Sequence, residues 1–135
     1  MKGILADNDV EGIFAAIVTI WLSETWHDLW ISLNWPLETF ASIGLPRNAS
    51  DALVWRTCQQ REIILVTGNR NAESPESLET TIRNLSRPDS LPVFTLSNPK
   101  RILKDRSHAN LVAERLLDYL MRGEEYRGTG RIYVP

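Results

Sequence analysis

The sequence predicts a three-layer α/β/α domain with a central, mostly parallel sheet. Three observations carry this. Short aliphatic runs, Gly3-Ile4-Leu5-Ala6-Asp7, Ile63-Ile64-Leu65-Val66-Thr67 and Pro92-Val93-Phe94-Thr95-Leu96, lack the polar alternation of a half-solvated strand, so they read as strands buried on both faces. Amphipathic helical patterns separate them, as in repeated βα units. The 135 residues, 43% apolar and 24% charged, suffice for one domain over residues 1–135 with a sizeable core.

After the first strand, Val10, Ile13, Phe14, Ile17, Ile20 and Trp21 recur at spacings of three and four and form one helical stripe. Residues 24–34 read as a second helix, with Trp26 and Trp30 one turn apart and Pro36 beyond its end. Residues 37–43 read as a short helix stopped by Gly44 and Pro46. A further helix starts near Asp51, capped by Asn48 or Ser50, with Val54, Trp55 and Cys58 on the face that Asp51 begins. Ser74-Pro75-Glu76 reads as the start of another helix, with Leu78, Ile82 and Leu85 as its stripe. Residues 107–122 form the longest amphipathic pattern, ended by Gly123, and residues 131–134 read as a last strand.

Composition excludes several classes. A net charge of −2 does not suit a uniformly basic duplex-DNA binder. The single cysteine, Cys58, cannot form an internal disulfide, which suits a reducing cytoplasm. No leader pattern opens the chain, and its longest apolar run, residues 13–20, is far short of a membrane span of ~20 residues. No 20–50-residue repeat appears.

Ligands of an open parallel sheet collect at the carboxyl ends of its strands. Here those ends are polar. Asp7-Asn8-Asp9 follows the first strand, with Glu11 next. Gly68-Asn69-Arg70-Asn71 follows the second, with Glu73 next, and Ser97-Asn98 follows the third. Asp51 starts the helix leading into the second strand. Carboxylates and carboxamides grouped on one edge suit Mg²⁺ or Mn²⁺. Such an ion polarises a phosphodiester and lowers the pKa of water. Lys100, Arg101, Lys104 and Arg106 follow the third strand and are either a solvated face or a hold on a phosphate backbone.

Each residue also has a bland role. Asp9 can cap the first long helix, and Asp51 can serve only a helix dipole, worth ~0.3–1 kcal/mol. Asn69 and Asn71 can be turn residues beside Gly68, and Glu73 a solvated helix-start acid. Asp7 is hardest to dismiss, since a carboxylate straight after a buried strand needs a partner or an ion. Cys58 sits on a helix stripe and reads as core. His27 and His108 lack neighbours at zinc-ligand spacing. Gly128-Thr129-Gly130 lacks the Lys-Ser/Thr of a P-loop. Of five tryptophans, Trp21, Trp26, Trp30 and Trp35 cluster, as core or as the interface of a homodimer.

The block from Leu5 to Glu11 resembles the opening of PIN-like nuclease domains, whose first strand ends in a metal-binding aspartate. Asp51, a helix, and then Ile64-Leu65-Val66-Thr67-Gly68-Asn69 resemble their central segment. Asp7-Asn8-Asp9-Val10-Glu11, Thr67-Gly68-Asn69-Arg70-Asn71 and Arg127-Gly128-Thr129-Gly130-Arg131 are similar to blocks in a group of bacterial PIN-like proteins rich in cyanobacterial members. The resemblance implies Mg²⁺- or Mn²⁺-dependent hydrolysis of single-stranded RNA, and for many such domains a toxin–antitoxin role with an antitoxin protein partner and dimerisation. It places Asp7 and Asp51 at metal-ligand positions and Asn69 where a third acid is usual.

Two functions are therefore expected. In the first, a metal-dependent endoribonuclease, Asp7 and Asp51 hold the ion with Asn69. Asp9 or Glu73 assists catalysis, while Arg70, Asn71, Lys100, Arg101 and Lys104 steady the RNA. In the second, a catalytically silent PIN-like module binds RNA or a partner protein. The amide of Asn69 favours the second reading, and the density of acids favours the first.

Overall fold

A computed structural model describes residues 3–68 and 77–135. Among them, five strands form one sheet, all parallel, in the order β2-β1-β3-β4-β5. The strands are β1 (Gly3–Ala6), β2 (Leu37–Glu38), β3 (Ile63–Thr67), β4 (Val93–Leu96) and β5 (Arg131–Val134). The six helices described are α1 (Glu11–Trp21), α2 (His27–Leu33), α3 (Asp51–Arg61), α4 (Leu78–Leu85), α5 (Pro99–Lys104) and α6 (Arg106–Met121). None is long and apolar enough to cross a membrane.

Side chains alternate across β1, β3 and β4, and each face has its own core. Ile4, Ile64, Val66, Phe94 and Leu96 pack under α1, α2 and α6; Leu5, Ile63, Leu65 and Val93 pack under α3 and α4. This is the three-layer arrangement that unalternating strands require. The connections β1–β2, β2–β3 and β3–β4 share one hand, because each reversal of direction along the sheet comes with a change of face. The β4–β5 connection has the opposite hand, since α5 and α6 return to the face that carries α1. Crossovers of one hand dominate parallel sheets, so this reversal is uncommon.

Two elements differ from expectation. Residues 37–43 do not form a helix. Leu37 and Glu38 pair with Ile4 and Leu5 of β1, and a single turn follows in which Thr39 and Ser42 exchange side-chain-to-backbone bonds at 2.9 and 3.0 Å. Gly44, at φ 75°, ends it. The second helix starts only at His27, because Ser23 accepts from Trp26 N and His27 N and so holds residues 23–26 in a turn. Other expectations hold: Ser50 caps α3 and β5 spans the predicted residues. Ser74, Pro75 and Glu76 lie outside the described residues, where Ser77 caps α4.

The tryptophan stretch is core. Trp21 is fully buried, donates Nε1–H to Ala113 O at 2.9 Å, and lies 4.6 Å from the Trp30 ring. Trp26 and Trp35 pack against the same core. Trp21 and Trp30 are taken up by this core, and Trp26 and Trp35 are half-buried against it.

Candidate functional site at the β1/β3 switch point

The chain leaves β1 toward β2 on one side and returns to add β3 on the other. The carboxyl ends of β1 and β3 therefore flank the topological switch point, where open parallel sheets bind ligands. Asp7 follows β1 directly. Its N–H donates to Val66 O at 2.8 Å, which extends the ladder by one residue and fixes the side chain beside Thr67. Asp7 Oδ1 accepts from Asn8 N at 2.8 Å, capping a 3-10 turn over Asn8–Val10, and Oδ2 accepts from the Thr67 hydroxyl at 3.0 Å.

Asp9 does not cap the first helix. The turn carries its carboxylate across to β3, where Oδ2 accepts from Gly68 N at 3.2 Å. Gly68 permits this approach: a Cβ there would stand 3.1 Å from Asp9 Oδ2, 3.1 Å from Val10 Cγ1 and 3.4 Å from Pro99 Cγ. Asp51 begins α3, and its Oδ2 accepts from Leu78 N at 3.0 Å, so one carboxylate serves the N-termini of two helices.

Burial raises the Asp7 carboxyl above its ordinary value. Asp9 and Asp51 add to the rise, against hydrogen bonds from Asn8 N and Thr67. Asp9 is raised as well, by burial first and by the charge of Asp51, against Gly68 N and Thr67. The donors to Asp7 and Asp9 named here are neutral, so they leave the like charge in place. Between the two acids, Asn8 donates Nδ2–H to Arg47 O at 2.6 Å, and its Oδ1 is buried with no partner among the described residues. Glu11 is held by Arg47 at 3.0 Å.

Asn69, Arg70, Asn71 and Glu73 lie outside the described residues. Among the described residues no group of three or more His, Cys, Asp or Glu is arranged as a metal site. A hard cation that keeps several waters needs only one or two carboxylates, and Asp7 and Asp9, with the Asn8 side-chain oxygen between them, are the described residues that could supply oxygen donors to one.

The basic cluster divides. Pro99, at the start of α5, lies against Gly68, and exposed Lys100 follows it. Arg101 is tied to Asp105 through Nε and a terminal nitrogen, both at 3.2 Å. Lys104 and Arg106 line a groove of about 980 Å³ against Ala16, Ile20 and Trp26 of the α1–α2 region. Cys58 is buried core; burial first, and then the Asp7 charge, push its thiol up to about 12. His27 is exposed beside Asp28, and His108 is buried.

Thr95 and Tyr133 carry no role in the sequence pattern. They stand in register with Thr67 across β3, β4 and β5, level with the end of β1. Arg131, 6% exposed at its side chain, pairs with Glu79 at 3.0 Å and donates to the Thr95 hydroxyl at 3.1 Å. The only sequence signal for this row is a hydroxyl residue recurring near two strand ends. The block Arg127–Arg131 is structural. Gly128 and Gly130 adopt φ of 86° and 82° to turn the chain into β5, and a Cβ on Gly128 would meet Pro88 O at 2.7 Å. Comparison with protein-family models, curated proteins and solved structures finds no match to this chain.

Proposed function

We propose that this protein is a divalent-metal-dependent endoribonuclease of the PIN-like type acting on single-stranded RNA. The observation that carries the reading is the convergence of Asp7 and Asp9 at the β1/β3 switch point, both raised by burial and by the charge of Asp51. Gathered, buried like charges are unfavourable without a cation, so their presence supports a site for one. Asp7, Asp51 and Asn69 are the proposed ligands, with the Asn8 carbonyl as a further oxygen. When bound, the ion supplies Lewis-acid polarisation of a phosphodiester and a lowered pKa for water.

The chain's own residues do the rest. Thr67 and Asn8 N fix the Asp7 carboxylate so that it needs no reorganisation to meet a cation. Asp9 takes the proton of the attacking water, with Glu73 as the alternative acceptor. Lys100, with Arg70 and Asn71, steadies the phosphate backbone. An antitoxin-like partner belongs to this reading through the resemblance alone, a cytoplasmic location through the lone Cys58, and pairing with a second copy through the tryptophan-rich stretch and the resemblance.

The test is calorimetric titration of Mn²⁺ into wild type, Asp7→Asn and Asn69→Asp, alongside cleavage of single-stranded RNA. Asp7→Asn is expected to remove metal binding and cleavage, and Asn69→Asp to tighten the metal by adding charge. Negligible affinity in all three, with no cleavage by wild type, overturns the enzyme. It leaves the catalytically silent binding module that the Asn69 amide favours.

A further inference from the structure

The face of the domain that carries α1 and α6 is cut by the groove of about 980 Å³ that Lys104 and Arg106 border. Its floor is apolar, formed by Ala16, Ile20, Trp26, Ile102 and Ala109. Thr19 and Ser23 in its wall turn their hydroxyls back on the α1 backbone, donating to Ala15 O and Ile20 O, so they demand nothing of a partner. Leu103 stands on the rim at 62% exposed, the most exposed large apolar side chain described. An apolar floor inside a charged rim is the anatomy of an association surface.

The two ends of the groove carry opposite charge. Helices α1 and α6 both follow parallel strands and run back from the carboxyl end of the sheet. Lys104 and Arg106, at the start of α6, therefore stand at the carboxyl end. Glu114 lies roughly two turns and 12 Å further along α6, and Glu24 follows the end of α1. The side chains of these four residues make no ion pair or hydrogen bond among the described residues. Their neighbours do: Arg101 is held by Asp105 at 3.2 Å, and Asp118 meets Arg122 at 3.3 Å.

A groove that is basic at one end and acidic at the other matches its own copy after a twofold rotation, in which residue i meets j and j meets i. Arg106, Asn110 and Glu114 recur at intervals of four on α6, and all line the groove. An axis at Asn110 lays α6 antiparallel on its copy and sets Arg106 against Glu114 in both directions. Asn110 then faces its own equivalent, and a carboxamide, which both donates and accepts, pairs with another. The same rotation carries Leu103 from the basic end of one copy toward Trp26 beside the acidic end of the other. A uniformly acidic or uniformly basic partner would oppose like charges at one end.

We propose that the α1/α6 groove is the surface on which a second copy of this chain docks, about a twofold axis at Asn110 that pairs Arg106 with Glu114. This gives the pairing a place on the molecule. It rests on the groove alone and stands or falls apart from the ribonuclease.

The experiment is sedimentation equilibrium of the whole chain across micromolar concentrations. The proteins are wild type, Arg106→Glu, Glu114→Arg and Leu103→Lys, all at exposed positions, with circular dichroism melts to verify folding. Wild type is expected to dimerise, and more weakly as salt rises. Each charge reversal opposes like charges twice across the axis, so each is expected to weaken the dimer by about tenfold or more. Leu103→Lys is expected to do the same, because an apolar contact is lost twice. An equimolar mixture of Arg106→Glu and Glu114→Arg sets each altered residue against its altered counterpart, and a heterodimer near wild-type affinity is expected. Wild type monomeric throughout overturns the proposal. So does a wild-type dimer that both reversals leave intact, which places the interface elsewhere. Reversals that weaken the dimer without recovery in the mixture overturn it too, since the pairing about Asn110 is then absent. Mn²⁺ titration reads the ribonuclease separately.

Discussion

The two ends of the sheet handle charge in opposite ways. At the amino end, Arg127 gathers its partners: Nε and a terminal nitrogen bind Glu124, the same terminal nitrogen binds Glu62 at 3.2 Å, and the other donates to Asp89 O at 2.8 Å. Opposite charges meet there. Glu124 is held below its ordinary value by Arg127, and Arg127 is raised by Glu124 and then Glu62. At the carboxyl end, the hydrogen-bond donors to Asp7 and Asp9 are neutral, and burial with nearby negative charge lifts both carboxyls. One end is a closed ion-pair network that ties β5 to the body of the domain. The other retains like charge that a cation would neutralise. Both stem from sequence blocks of equal prominence, so prominence alone does not distinguish structure from chemistry.

The sharpest way to break this comparison is Asp7→Asn. Cleavage of RNA in Mn²⁺ is expected to fall by about a hundredfold or more, because the charge that holds a hard cation is gone. In chelator, the same variant is expected to melt higher, by roughly 1 kcal/mol, because one buried like charge has been removed. Thermal melts with and without chelator read this. A variant less stable in chelator would show that the carboxyl end is a satisfied network like its counterpart.

Arg127→Met is the reciprocal test. It removes the partner of Glu62 and Glu124 and leaves Asp89 O without its donor, so a loss of about 1 kcal/mol is expected, a fall of roughly 4 °C for a domain of this size. Mn²⁺ affinity by calorimetry is expected to stay at the wild-type value. A coupled loss of metal binding would show that the two ends are not independent.

Acidity separates the ends by sign. Asp7 and Asp9 bind protons more tightly folded than unfolded, so their ionisation opposes folding. That penalty is fully present above their folded values and vanishes as the pH falls below the ordinary 3.8. The advantage of Asp7→Asn over wild type therefore shrinks as pH falls. Glu124 is depressed, so its stabilisation is present above the ordinary 4.5 and is lost as pH falls through its folded value. The deficit of Glu124→Gln shrinks too, from the opposite side. Urea melts in chelator between about pH 3 and pH 7 measure both differences.

The most local effect is expected at Gly68. A methyl group there crowds Asp9 Oδ2 and Val10 at 3.1 Å, so Asp9 must shift by a few tenths of an ångström. Gly68→Ala is expected to cost about 1 kcal/mol and to weaken Mn²⁺ binding severalfold. Unchanged metal affinity would place Asp9 outside the ion's reach.

Local pattern carried much of the architecture. Unalternating runs at Gly3, Ile63 and Pro92 announce buried strands, and the stripes of α1, α3 and α6 follow from period. Asp7 was legible because a buried strand ends in a charge. Residues 37–43 were not, because two residues captured by the edge of β1 and one turn held by Thr39 and Ser42 outweigh weak helical propensity. Arg47 lies in an unpatterned loop, and only folding brings its carbonyl to Asn8 across 39 positions.

By itself the sequence determined which segments must be buried and which strand ends carry acids, since both depend on the neighbours each residue has along the chain. The tertiary structure decided where those ends meet. It set β3 beside β1, turned Asp9 from a helix cap into a partner of Gly68, and gave Asp51 the first amide of α4. It sent α6 back to the face of α1 and consumed Trp21 and Trp30 there. These are choices among long-range pairings. Their energies arise from contacts between residues far apart in the chain, which local periodicity does not encode.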